Sequence, residues 1–285
     1  MVSIHALHTR PAITRNDITL MLTLSNLTYY PIKACRGFDV TESNIERMGL
    51  EHDRRLMVIT LENKFLTQRE YPKLALVTPT LQNNSITLSA PNFDSLHFPI
   101  QTTGYQIPVQ IWKSEGVQAV DQGDETAEWF SNWLDAPVRL VHIADGYKRK
   151  VSAEYAINDD DHTGFADGYP VLIISEESLQ DLNGRLDSAL PMNRFRPNLV
   201  IKGCKPFEED SWKRIRIGDV ELALVKPCAR CEVTTIDKET LERSKEPLKT
   251  LGKYRKHKLG AIFGMNAIPL NSGRLKVGGS VEVIE

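Results

Sequence analysis

The stretch "KPCARCEVTTID" (226–237) sets Cys228 and Cys231 three positions apart behind a strand-like run. Such a pair can hold zinc, cycle as a dithiol, or present one thiolate to a partner. A structural zinc site takes four ligands, and no second Cys-x-x-Cys pair exists; Cys204 would be a third ligand, and a fourth would have to be recruited. A thioredoxin-type dithiol needs its first cysteine at a helix N-terminus. Here Val233, Thr234, Thr235 and Ile236 are β-branched and predict a strand instead. Against these stand a single thiolate beside Arg230, whose charge favours deprotonation and suits a soft metal centre, and the plain alternative of two half-buried cysteines packed as small apolar groups.

Other chemistry-bearing residues fall at the ends of expected strands. "YYPIKACRG" carries Lys33 and Arg36, and "GLEHDRRLMVI" carries Asp53, Arg54 and Arg55. "FLTQRE" ends in Thr67, Gln68 and Arg69, while "NRFRPNLVI" brings Arg194, Arg196 and Asn198. Singly these are solvated strand ends. Converging arginines, however, can hold phosphate without a glycine-rich loop. Neither a Walker nor a dinucleotide glycine motif is present, which disfavours a nucleotide site of those kinds. "DDDHTG" (159–164) lacks the bidentate glutamate of a calcium loop, and "KYRKHK" (253–258) reads as a solvated basic face.

These residues must be held by a chain of 285 residues and 32.2 kDa, long enough for one large domain or two smaller ones. Its net charge of −2 gives no global pull towards nucleic acid or anionic lipid, so any basic site must be local. Four sparse cysteines and no signal peptide point to a reducing, cytoplasmic setting, and no apolar run is long enough for a membrane helix. Residues 1–20 read as a loosely held extension. From Met21 the signals are short and β-rich: "MLTLSNLTYYPI" alternates, with hairpins expected about "LEN" and "QNNS" and two more strands in "QIPVQIWKSEGVQAVD". Strands at such spacing predict a barrel or sandwich over 21–135. "DETAEWFSNWLD" predicts an amphipathic helix with Asp124 as its N-cap, and the seam is placed near residue 136. Over 136–285 the pattern mixes sheet and helix. A helix follows "YPVLIISE", capped by Ser175, with Leu179, Leu182 and Leu186 as a core stripe; strands then turn at Gly218-Asp219 and Gly278-Gly279. The fold class is α+β and β-rich.

Ordered blocks extend this reading. "YPIKACRG", "DRRLMVI", "FLTQREYPKLALV", "ISEESLQDLNGRL", "FRPNLVIKGC", "CARCEVTTID", "KEPLKTLGKYR", "FGMNAI" and "RLKVGGSVEV" resemble, in order, the MOSC proteins, named for the molybdenum cofactor sulfurase C-terminal domain. The resemblance covers Met21 to Glu285, in the branch with an N-terminal MOSC β-barrel domain followed by a MOSC domain, a mixed β-barrel with flanking helices. It is closest in pattern to the amidoxime-reducing components and their bacterial counterparts. It implies a molybdenum-dependent oxidoreductase that removes the oxygen of an N–OH group, a detoxifying reaction, using molybdenum-molybdopterin and two electrons and two protons. By this resemblance Cys231 is the metal ligand, and Cys228 a structural neighbour. Asp167 stands near the metal, to orient water or pass a proton. Lys33, Arg54, Arg196 and Arg230 grip the pterin and its phosphate, and Ala34, Arg69, Asn198, Ala229 and Asn266 complete the cofactor contacts. Ala34 and Ala229 replace serines of the relatives, Gly168-Tyr169 replace a small hydroxyl pair, and Asn266 replaces an aromatic hydroxyl. Electrons would come from a separate protein of ferredoxin, flavodoxin or cytochrome type, and the substrate would be a small N-hydroxylated molecule. A non-catalytic carrier of the cofactor or of sulfur needs the same residues, and a plain thiol protein is the third possibility.

Overall fold

The computed structural model describes residues 21–285. The extension expected for 1–20 lies outside the described residues. Sheet dominates, with three α-helices at the flanks, as the α+β, β-rich expectation requires. The "QNNS" hairpin forms between Thr78–Gln82 and Ser85–Ala90, with Asn83 and Asn84 both left-handed at φ 53° and 43°, as a two-residue turn of this hand demands. Gln106–Ile111 and Ser114–Asp121 pair about Trp112 and Lys113. After Leu56–Thr60 the "LEN" turn closes through Thr60 N–H to the Lys64 carbonyl at 2.8 Å, but its returning limb makes isolated bridges only, Phe65 to Ile59 and Lys64 to Gln110.

Helix Asp124–Leu134 buries Trp129, Phe130 and Leu134 on one face. Its N-cap is Gly123 and not Asp124: the Asp124 carboxylate is taken by Arg139, which donates from Nη2 at 2.9 Å. Ser175 does cap helix Glu176–Asn183, its Oγ accepting from the Ser178 N–H at 3.1 Å. Gly218 and Asp219 turn Arg214–Ile217 into Val220–Ala229. The turn at Gly278-Gly279 instead sends Gly273–Lys276 and Val281–Val283 to different sheets.

Two sheets position the site. The larger runs in the order Phe38–Asp39, Thr23–Tyr29, Leu199–Lys202, Val171–Ser175, Gly260–Pro269, Val220–Ala229, Arg214–Ile217 and Val281–Val283. Within it Val171–Ser175 and Leu199–Lys202 are parallel, with helix Glu176–Asn183 between them in the chain. The smaller holds Leu56–Thr60, Val138–Ile143, Ser114–Asp121 and Gln106–Ile111. Each has its own apolar core, one around Leu24, Ile173, Leu199 and Ile215, the other around Ile32, Leu56, Phe130 and Leu140. Burying one such Leu or Phe stabilises by roughly 1.5–3 kcal/mol.

The strand Thr23–Tyr29, first in sequence, is hydrogen-bonded into the larger sheet, against Leu199–Lys202. The chain then crosses to the smaller sheet, where Lys33 N–H donates to the Leu56 carbonyl at 2.8 Å. Strand ends from both sheets therefore meet along this crossing.

Candidate functional site

At that meeting lies an open cavity, where chain segments from both sheets converge. All eleven residues that the resemblance assigned to the metal and cofactor line it: Lys33, Ala34, Arg54, Arg69, Asp167, Arg196, Asn198, Ala229, Arg230, Cys231 and Asn266, whereas Arg36, Asp53 and Arg55 do not. Arg194 adds a sixth cation to the wall, and Asp167 is its one carboxylate. In a chain of net charge −2 the positive charge is thus concentrated here.

Backbone strain gathers at the same place. Ala34, Arg54, Trp112 and Arg196 are non-glycine residues in the left-handed region, at φ 69°, 48°, 52° and 57°, and all four line the cavity. Each such residue costs about 1–3 kcal/mol and persists only where its surroundings over-determine it.

Those surroundings are explicit for Arg54. Its Nη1 donates to Asp53 Oδ2 at 2.7 Å and to Asn198 Oδ1 at 3.1 Å, while Nη2 reaches the Arg196 carbonyl at 3.3 Å. Asp53 is buried and also accepts the Tyr30 N–H at 2.8 Å. Asn198 accepts the Leu172 N–H at 3.1 Å and donates to the Thr28 carbonyl at 3.1 Å. It braces Arg54 from behind. The Arg54 and Arg196 guanidiniums both lie against the Tyr30 ring, 4.3 and 4.2 Å from its centre, and burial pushes its hydroxyl up to about 12, so it stays neutral. Two like charges thus share one aromatic neighbour.

Asp167 sits at the mouth. Its side chain is 72% exposed because the cavity is open to solvent, and it meets Lys33 Nζ at 2.5 Å and the Trp112 Nε1–H at 3.1 Å. Crowding by the cavity walls would raise its pKa, but the Lys33 ammonium and the Trp112 hydrogen bond outweigh this and hold the carboxyl well below the usual range. Lys33 is buried, and desolvation lowers its pKa even though Asp167 opposes the shift. The loop behind Asp167 is tied down by Arg149, which donates from Nε to the Gly164 carbonyl at 2.8 Å and from Nη2 to the Ala166 carbonyl. A Cβ at Gly164 would lie 2.9 Å from the Arg54 carbonyl oxygen, so only glycine fits between these loops.

The four cysteines separate cleanly. Cys35 is buried, Cys204 is half-buried, and burial pushes both thiols up to about 12. Cys231 is exposed on the cavity wall, with Cys228 half-exposed beside it. The strand expected after Cys231 is a short 3-10 turn, Glu232–Thr235. Thr234 Oγ1 donates back to the Cys231 carbonyl at 2.9 Å and Thr235 Oγ1 to the Glu232 carbonyl at 2.7 Å, so the hydroxyls satisfy carbonyls that a sheet would otherwise claim. Arg230 also differs from expectation. Its Nη1 donates to the Cys228 sulfur at 2.9 Å and its Nη2 to the Phe195 carbonyl at 2.6 Å, directing its charge at the neighbour of Cys231.

The polar groups here fit an anionic guest. Nε of Arg230 and Nε of Arg194 are buried without a partner, and Arg196 has no carboxylate partner among the described residues. Reading the sequence alone did not single out Trp112, Lys238 or the role of Gln68. Gln68 is buried and donates to the Ala34 carbonyl, and it accepts from Lys238 Nζ at 2.6 Å. Burial, with Arg196 and Arg194 adding to it, brings Lys238 down to about 7. The acidic loop is structural: Asp161 is buried and accepts the N–H groups of Ile157 and Asn158 at 2.8 Å. Among the described residues there is no group of three or more metal-ligating His, Cys, Asp or Glu side chains.

Residues 21–137 match the MOSC N-terminal beta barrel domain and residues 160–282 the MOSC domain. The chain belongs to the MOSC family, as an N-terminal MOSC barrel joined to a MOSC domain. Among particular relatives, mitochondrial amidoxime-reducing component 1 of Danio rerio is 36% identical over 274 residues, covering 92% of this chain and 84% of that one. The Homo sapiens protein of the same name is 37% identical over 280 residues, covering 92% and 83%. Mitochondrial amidoxime reducing component 2 of Homo sapiens is 34% identical over 277 residues, covering 91% and 82%.

Proposed function

We propose that the chain is a molybdenum-cofactor-dependent reductase of N-hydroxylated compounds, with Cys231 as the protein ligand to the metal. One observation carries this reading: an exposed thiol shares a cavity with six cations and a single carboxylate, in a chain whose relatives are named for amidoxime reduction. Bound there, the cofactor would supply two-electron chemistry, and the protein would supply binding, orientation and charge. Arg54, Arg196, Arg230 and Arg194 would hold its anionic pterin tail. Asp53 and Asn198 would fix Arg54, and Ala34, Arg69, Ala229 and Asn266 would shape the walls.

Asp167 is a carboxylate at neutral pH and Lys33 holds its pKa lower still, which suits orienting a water or substrate N–H and does not suit donating a proton. The proton of the pair rides on Lys33 Nζ, whose hold on it is weakened by burial. Electrons would arrive from a separate redox protein of ferredoxin, flavodoxin or cytochrome type. The division into an N-terminal barrel unit, 21–135, and a MOSC unit, 136–285, belongs to this proposal, supported by the two matched segments. So does a cytoplasmic location, beside relatives whose names say mitochondrial. Among the described residues no helix is long and apolar enough to cross a membrane.

The test is expression in a host that makes molybdopterin, followed by metal and pterin quantification and an N-hydroxy reductase assay with an artificial donor. Cys231→Ser should keep pterin and lose turnover; full activity in that variant would reject Cys231 as the ligand. Bound metal without turnover in the parent chain would favour a carrier. Absence of both metal and pterin would favour a plain thiol protein.

A further inference from the structure

Trp112 occupies the tip of the hairpin Gln106–Ile111 and Ser114–Asp121, where a polar residue or glycine would be the ordinary choice. It stands in the left-handed region at φ 52° and leaves 40% of its surface exposed. Its ring lies 4.7 Å from that of Phe65, and its Nε1–H reaches across to Asp167 at 3.1 Å. The Arg69 guanidinium lies 5.1 Å from its ring centre and has no carboxylate partner among the described residues. Trp112 and Arg69, with Leu66 and Thr67, also line a second, outer groove together with Phe65 and Tyr71. The partition between the Cys231 cavity and this groove is thus an indole face flanked by an unpaired guanidinium.

We infer that this groove receives the non-reacting part of the substrate: a flat aromatic group stacked on Trp112 and Phe65, carrying an anionic substituent towards Arg69. The inference rests on the reductase reading of the Cys231 cavity and names the substrate class of that site. A strained, exposed tryptophan is costly to keep, and an offset stack on its face together with charge pairing at Arg69 uses both features. Arg69, which lines both spaces, then also faces the substrate.

Two measurements on the cofactor-loaded full chain test this. In the first, the indole N–H resonance of Trp112, assigned by its loss in Trp112→Phe, is followed by NMR during titration with 4-carboxybenzamidoxime, benzamidoxime and acetamidoxime. The aromatic probes should shift it while Trp129, Trp133 and Trp212 stay put, and acetamidoxime should not. The second compares kcat/KM for the three probes. Trp112→Ala should reduce the preference for benzamidoxime over acetamidoxime by about tenfold, and Trp112→Phe, which keeps a flat face but loses the hydrogen bond to Asp167, should restore most of it. Arg69→Gln should remove an advantage of about fivefold for the carboxylated probe over benzamidoxime and leave the aromatic preference in place. Turnover of all three probes with no shift of the Trp112 resonance would overturn the groove and leave the reductase standing. A shift without turnover of any probe would support the groove as a binding site and overturn the reductase.

Discussion

Two buried polar centres of this molecule differ in one respect. Beneath helix Glu176–Asn183, Glu209 is fully buried and accepts from Ser175 N–H at 3.2 Å, Ser175 Oγ at 2.9 Å and Ser178 Oγ at 2.7 Å. Ser178 Oγ in turn accepts the Phe207 N–H at 2.7 Å, and no side-chain atom of Ser175, Ser178 or Glu209 lacks a partner. The centre at Arg54 is closed in the same manner on its inner side, by Asp53 and Asn198. Outward it is open, with buried Nε atoms of Arg194 and Arg230 unpartnered and Arg196 unbalanced. A closed network holds secondary structure in place. An open one, built on strained backbone and left with positive charge, holds a place for something else.

The contrast is broken most severely by emptying the open centre. Arg54→Ala with Arg196→Ala should lower cofactor retention by about 10²–10⁴-fold, since each charge-assisted hydrogen bond contributes roughly 1.5–3 kcal/mol. Pterin quantification after gel filtration checks this, and retention unchanged within a factor of two would mean the cations hold nothing. Ser178→Ala should act in reverse. It strips a donor from Glu209 and an acceptor from Phe207, so it should destabilise the fold by about 1–3 kcal/mol in urea unfolding while cofactor content stays at the parent level.

Much of this was legible in the sequence, and the exceptions have physical causes. Cys231, Arg54, Arg196 and Lys33 stood out only as a set: each alone reads as a packed thiol or a solvated strand end, and the number of cationic strand ends together with the ordered family blocks singled them out. Strands such as Thr78–Gln82, Ser85–Ala90 and Arg214–Ile217 followed from alternation and from asparagine or glycine turns, whereas the returning limb of "LEN" and the run after Cys231 formed no strand. Trp112 gave no such signal: its importance lies in a left-handed backbone and in a hydrogen bond to a residue 55 positions away. Lys238 and Gln68 are coupled over 170 positions. The β-branched run after Cys231 misled because propensity speaks of side-chain bulk, and here the threonine hydroxyls bonded back to carbonyls three residues earlier. Asp124 lost its capping place to Gly123 because Arg139 claimed its carboxylate.

A gentler probe of the open centre is the ring against which both of its guanidiniums lie. Tyr30→Leu keeps the volume roughly but removes the π-faces that Arg54 and Arg196 share, and with them about 0.5–2 kcal/mol of attraction. The expected outcome is a several-fold loss of cofactor retention with the fold intact by circular dichroism. An equal loss in Tyr30→Phe would show that the hydroxyl bond to the Pro197 carbonyl, at 3.0 Å, matters more than the ring faces.

The smallest effect is the one in which the two regions should carry opposite signs. Asp167 at the open site has a folded-state pKa below its ordinary value of 3.8, so it contributes stability that is present above that value and is lost as pH falls through the folded pKa. For Glu209 in the closed network, burial raises the folded-state pKa above 4.5. Its contribution is therefore present below 4.5 and is lost as pH rises through the folded value. Thermal melts of the parent, Asp167→Asn and Glu209→Gln across roughly pH 3 to 8 separate the two. The Tm difference between parent and Asp167→Asn should shrink towards acid. That between parent and Glu209→Gln should shrink towards neutral pH. Because no contact joins Asp167 to the Glu209 network, the double variant should show the sum of both trends. Slopes of the same sign in the two single variants would mean that Lys33 does not govern Asp167 or that Glu209 is better solvated than its hydrogen bonds imply, and the distinction between an open and a closed centre would fail at its electrostatic root.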